Sequence, residues 1–136
     1  MSNQNSDGMN PFLLLARIQV KPNKVEDYLN IAEEVDKMTE KEESGMFLHN
    51  FDADPDNPLG FTWSEIYQNS DALLVHFSAP YALEYVGKHQ QLADSFDLEI
   101  YGNLSDEAIA AVRQLGLPFK HYKTTRVGFA RTEKFE

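Results

Sequence analysis

The chain has 136 residues, 42% of them hydrophobic, and 22 acidic against 12 basic side chains give it a formal net charge of −10 at pH 7. That length suits one compact domain, and a field of that sign repels nucleic acid and anionic membrane surfaces. The absence of cysteine removes disulfides, thiolate nucleophiles and cysteine-held metals.

Residues 1–10, "MSNQNSDGMN", are polar and aperiodic and read as a disordered tail; they lack the basic start and apolar core of a secretory leader. No apolar run approaches the roughly 18 residues of a membrane helix, so a cytoplasmic protein is expected, with neither membrane nor nucleic acid as partner. "FLLLARIQV", residues 12–20, is apolar at nearly every position and predicts a strand covered on both faces. After "KPN", Asn23 and Glu26 have the spacing of a helix cap with its reciprocal carboxylate. Val25, Tyr28, Leu29, Ala32 and Val35 then follow at helical spacing, and the helix should end near Gly45.

Two strands, about 46–53 and 60–68, flank the Pro/Asn/Asp-rich turn "DADPDN". That turn lacks the glycine and the terminal glutamate of a calcium loop. Asn69 or Ser70 can cap a short helix over 71–78, and Pro80 suits the first turn of another that reaches about Asp94. Ala82, Tyr85, Val86, His89 and Ala93 share a face of that second helix. "FDLEIYG" alternates like a strand with one wetter face. Ser105 caps a further helix ended by Gly116 and Pro118, and residues 119–131 predict a last strand. Five of the twelve basic residues lie between Lys120 and Lys134, where they can protect an exposed edge or attract an anionic partner. The order is β α β β α α β α β, an α+β sheet with helices on one face. Residues 11–104 form the main domain, and 105–136 add a helix and a strand to it.

"VKPNKVEDYLNIAEE", "FDADPDNP", "WSEIYQNSDALLVHFSAP" and "YALEYVGKHQQL", in that order, resemble the antibiotic biosynthesis monooxygenase family over roughly residues 12–100. The resemblance implies a ferredoxin-like antiparallel sheet whose open face pairs with a second copy, making a homodimeric α/β barrel and explaining the doubly apolar first strand. It also implies a pocket between sheet and helices, in which several members oxidise phenols or quinols without metal or flavin. Such chemistry needs an aromatic-lined hollow, a group that favours the substrate anion, and access for oxygen.

Phe61, Trp63, Glu65 and Tyr67 alternate onto one face of their strand, and Phe47, His49 and Phe51 onto one face of its neighbour. Trp63, Tyr67, Tyr85 and His49 are the candidates for lining a substrate site. Glu65 would bind substrate or pair with a histidine, and His76 or His89 would take a phenol proton. Each has a structural alternative: Trp63 and Tyr85 as core, Glu65 as a satisfied carboxylate, His76 and His89 as hydrogen-bonded interior rings. His49 and His121 sit on strands without a partner at ligand spacing, so neither a metal nor a cofactor is expected. The places where haem-degrading relatives carry asparagine, tryptophan and histidine hold Ala16, His76 and Val86, which disfavours haem degradation. Two readings stay open: a cofactor-independent monooxygenase acting on a phenolic or quinol-like aromatic molecule, and a non-catalytic dimeric barrel that binds a hydrophobic one. Lactone isomerisation on the same scaffold rests on fold analogy alone.

Overall fold

The computed structural model describes residues 8–135, so most of the expected N-terminal tail, residues 1–7, lies outside the described residues. The elements are β1 (Phe12–Val20), α1 (Val25–Glu42), β2 (Met46–Ala53), β3 (Gly60–Tyr67), α2 (Ser70–Ser78), α3 (Pro80–Leu92), β4 (Ala93–Tyr101), α4 (Asp106–Gln114) and β5 (Phe119–Tyr122), followed by a 3-10 turn over Thr132–Lys134. The sheet order is β2-β3-β1-β4-β5. Its first four strands pair antiparallel and β5 joins parallel to β4. With the helical crossovers between β1 and β2 and between β3 and β4, this is a ferredoxin-like α+β fold extended by α4 and β5.

β1 is the centre of the sheet, and its alternate residues Phe12, Leu14, Ala16, Ile18 and Val20 are buried under the helices. Its register places Ala16 beside Trp63 on β3 and Leu98 on β4. A methyl group between two large side chains leaves a hollow above the middle of the sheet, where the cavity described below lies. α1 covers this layer through Tyr28, Ala32, Val35 and Thr39, one stripe at helical spacing.

Local chemistry sets several boundaries. The Asn69 side chain accepts from Ala72 N at 2.9 Å, and the Ser105 hydroxyl accepts from Ala108 N at 3.1 Å, capping α2 and α4. Pro80 opens α3. At Gly102 φ is +135°, and a Cβ there would stand 2.8 Å from that of Phe12, so the exit from β4 requires glycine.

Three expectations are corrected. Asn23 does not cap α1; it adopts φ 66° in the turn, and Lys24 holds the N-cap position without a side-chain bond. Asparagine tolerates the left-handed region better than most residues, and the turn takes it for that. The last strand stops at Tyr122 rather than running to 131. On the outer face of β1, which the expectation assigns to a second copy, Leu13, Leu15 and Gln19 are half-buried, and Arg17 is exposed and paired with Glu99 at 3.3 Å. Phe47 does not share the inner face with His49 and Phe51, because the register shifts between Met46 and Leu48, and its ring stacks on Phe135 instead, centroids 5.3 Å apart. No helix among the described residues is long and apolar enough to cross a membrane.

Candidate functional site

Between the sheet and α2, α3 and the segment after α4 lies a cavity of about 50 Å³. Leu14, Ala16, Phe96 and Leu98 form its apolar floor, Tyr85, Val86 and Leu83 come from α3, and Leu115 and Leu117 from the C-terminal extension. Its other end is polar: His49, Glu65 and His76 face it from β2, β3 and α2, with Trp63 beside them. The register that pairs His49 with Glu65 across the β2/β3 hairpin places the first two side by side. The inward turn of α2 at Leu73 and His76 supplies the third.

Each polar side chain is held from behind. His76 Nδ1 lies 2.9 Å from a carboxylate oxygen of Glu43, the buried residue that ends α1, and the Tyr81 hydroxyl donates to the same carboxylate. His49 Nδ1 lies 2.8 Å from Asp36, and its Nε2 is 3.6 Å from Glu65 Oε2. Tyr67 donates its hydroxyl to Glu65 Oε1 at 2.5 Å. The Trp63 ring packs on His49 on one side, centroids 4.3 Å apart, and on Phe51 at 4.5 Å. Burial opposes a charge on His76, but the hydrogen bond to Glu43 and the charges of Glu65 and Glu43 outweigh it, and its pKa is raised above 6.5.

A second network lies deeper. The Trp63 indole N–H donates to the Tyr85 hydroxyl at 2.8 Å, Tyr85 and Tyr28 share a hydrogen bond, and Tyr28 reaches His89 Nδ1 at 2.6 Å. Burial lowers the His89 pKa to about 4 and pushes the Tyr28 and Tyr85 phenols up, so these groups are neutral near pH 7. With a neutral imidazole accepting at Nδ1, the donors run in one direction from Trp63 through Tyr85 and Tyr28 to His89. The ring of His89 packs on Phe96, centroids 4.6 Å apart.

The candidates from sequence therefore divide. Trp63, Glu65, Tyr85, His49 and His76 line the cavity, whereas His89 and Tyr67 stand behind its wall. The expectation that His49 has no partner at ligand spacing is corrected: His49, Glu65 and His76 each place a ligand atom within 4.8 Å of the others. His121 lies apart, its Nε2 2.7 Å from the Gly102 carbonyl oxygen. Sequence reasoning missed Glu43, Asp36 and Tyr28. Their signal was present in the stripe Tyr28, Ala32, Val35, Thr39, whose continuation by one helical turn arrives at Glu43, and Asp36 borders it.

The sequence matches the profile of the antibiotic biosynthesis monooxygenase family over residues 11–88. An uncharacterised protein of Synechocystis sp. is 29% identical over 92 residues, which cover 67% of this chain and 62% of that protein's length. Among solved structures, a candidate antibiotic biosynthesis monooxygenase of Bacteroides thetaiotaomicron is similar with a TM-score of 0.62 and 24% identity, over 65% of this chain and 85% of the other. A conserved protein of Methanosarcina mazei aligns with a TM-score of 0.64 and 23% identity, over 69% and 93% of the two chains. At such identities the structural likeness speaks for the fold.

Proposed function

The chain belongs to the antibiotic biosynthesis monooxygenase family, and on that premise we propose that it oxidises a small phenolic or quinol-like aromatic compound with molecular oxygen at the polar end of the cavity. The observation that carries this reading is the Glu43–His76 pair at the edge of a hollow lined by Trp63, Tyr85 and Phe96. Glu43 fixes the imidazole through Nδ1 and supports its positive charge, which leaves Nε2 to accept the phenol proton. The resulting anion is electron-rich enough to add oxygen at a ring carbon. The imidazolium returns its proton to the peroxide, and loss of water takes the remaining hydrogen of that ring carbon, so the phenol O–H, one ring C–H and O2 become a quinone and H2O. Trp63 and Tyr85 orient the ring. Tyr85, whose proton burial holds in place, serves as a hydrogen-bond group rather than a base.

As it stands the cavity has room for oxygen or a few waters, since one water needs roughly 10–15 Å³ of such space. Substrate would therefore enter by displacing Leu83, Leu115 and Leu117, the side chains of α3 and the extension. The small volume also favours a second reading, a dimeric barrel that binds a hydrophobic molecule without turnover. In both readings two copies pair through the outer sheet face at Leu13, Leu15 and Ile66, and sedimentation at micromolar concentration should show a dimer.

The experiment is oxygen uptake with a panel of quinols and anthrones in metal-free buffer. The wild type should consume oxygen, His76→Ala should lower kcat/KM at least about tenfold, and His89→Gln should keep kcat. Saturable binding of the panel with no uptake would select the second reading.

A further inference from the structure

We propose that the polar end of the cavity is also a binding site for one divalent first-row transition ion, held by one ring nitrogen each of His49 and His76 and a carboxylate oxygen of Glu65. Among the described residues these are the three side chains whose ligand atoms converge, all within 4.8 Å of one another. Ligands around a tetrahedral ion with bonds of about 2.1 Å stand roughly 3.4 Å apart. His49 Nε2 and Glu65 Oε2 are already separated by 3.6 Å, so small side-chain movements would close the set.

The atoms behind the ligands carry the proposal further than proximity does. Asp36 holds Nδ1 of His49 at 2.8 Å, Glu43 holds Nδ1 of His76 at 2.9 Å, and Tyr67 occupies Oε1 of Glu65 at 2.5 Å. An imidazole that donates its Nδ1 proton to a carboxylate presents its lone pair at Nε2, the tautomer an ion requires, and here both imidazoles are so arranged. Glu65 likewise keeps one oxygen free of Tyr67. A cluster serving packing alone would have no need of two carboxylate-backed imidazoles beside a carboxylate that keeps one oxygen free of Tyr67.

Charge points the same way. Glu43 and Glu65 are buried, Asp36 is partly so, and neither lysine nor arginine lines the cavity. A dication offsets this excess of negative charge, where buried carboxylates otherwise lack a permanent counterion. Two imidazoles with one carboxylate suit zinc or ferrous iron better than calcium or magnesium, which favour oxygen-only shells. Three protein ligands leave further positions open toward the apolar hollow. A bound ion would stabilise there, by its charge, the oxyanion that His76 would otherwise generate by taking a proton. The site goes beyond the oxidation reading, and it can be tested without substrate.

The test uses untagged, chelator-stripped protein titrated with Co2+ near neutral pH. Trp63 is the one tryptophan of the chain and packs on His49 at 4.3 Å, so its fluorescence reports an ion at this place. Binding of one Co2+ per chain should quench that fluorescence, and Zn2+ should restore it by displacement. His49→Ala and His76→Ala should abolish the quench, and Asp36→Asn should weaken binding by about 10- to 100-fold. The Asp36 side chain is 43% exposed, so that variant should fold even if a buried one does not. His121→Ala should bind like the wild type. Absence of a one-to-one, Zn2+-reversible quench in the wild type would overturn the proposal. So would undiminished affinity in folded Asp36→Asn and His49→Ala proteins. Neither result would touch oxygen uptake in metal-free buffer, which tests the oxidation reading by itself.

Discussion

Two histidine-bearing networks meet at Trp63, one on the ring of His49 and the other on the indole N–H. In the deeper one, Trp63, Tyr85, Tyr28 and His89 pass a single direction of hydrogen bonding among neutral groups, with no carboxylate in the chain. In the one that faces the cavity, His49 and His76 are backed by the carboxylates of Asp36 and Glu43, Glu65 is held by the Tyr67 hydroxyl, and neither lysine nor arginine lines the cavity beside them. Both are buried and both contain histidine, so residue type and burial do not separate a structural network from a reactive one. The separation comes from whether charged groups take part in the network.

Removing the shared residue should break both at once. Trp63→Ala deletes a ring packed against His49 and Phe51 together with the donor to Tyr85, and should destabilise by about 3–5 kcal/mol in chemical denaturation. Tyr28→Phe breaks only the deeper network. It leaves Tyr85 and His89 each short of a partner, should cost about 1–3 kcal/mol in the same measurement, and should leave the cavity-facing groups in place. Asn69→Ala, which removes the α2 cap beyond either network, should cost about 1 kcal/mol and provides the baseline against which the other two are read.

Titration sharpens the contrast because the two histidines have opposite signs. The folded pKa of His76 is raised above 6.5, so its contribution to stability is fully present below 6.5 and is lost as pH rises through the raised value. Replacing its main partner, Glu43→Gln, should flatten stability against pH in that window. His89 has a folded value of about 4, so between pH 6.5 and 4 the unfolded chain takes a proton that the native one refuses. Stability should fall as pH drops through this interval, and His89→Gln should remove that part of the slope.

Much of the fold was legible in the residues because its determinants are local. The apolar run at 12–20, the turn residues between β2 and β3, Pro80 and the Ser105 cap lie at or within a few residues of the boundaries they set. Where a local signal had to compete with the chain around it, it failed: Asn23 has the residue type of a cap but serves the preceding turn, and the aromatic and β-branched segment after Tyr122 leaves the sheet. The site was half legible. Alternation placed Trp63, Glu65 and Tyr67 on one face, and helical spacing turned His76 and His89 inward. Which histidine faces the cavity could not be read, since it depends on partners distant in sequence, Tyr28 on α1 and Glu43 at its C-terminal cap. The meeting of His49 with His76 is a tertiary fact too, produced by the β2/β3 register and the packing of α2 over it.

The most direct test of this division is a pH titration of the imidazole nitrogens by NMR in metal-free protein. Protonation of His76 with a midpoint above 6.5, while His89 stays neutral down to about pH 4, is the result expected. A His89 that titrates near 6.5 beside a His76 that stays neutral there would contradict the account, because the proton chemistry would then belong to the wrong network.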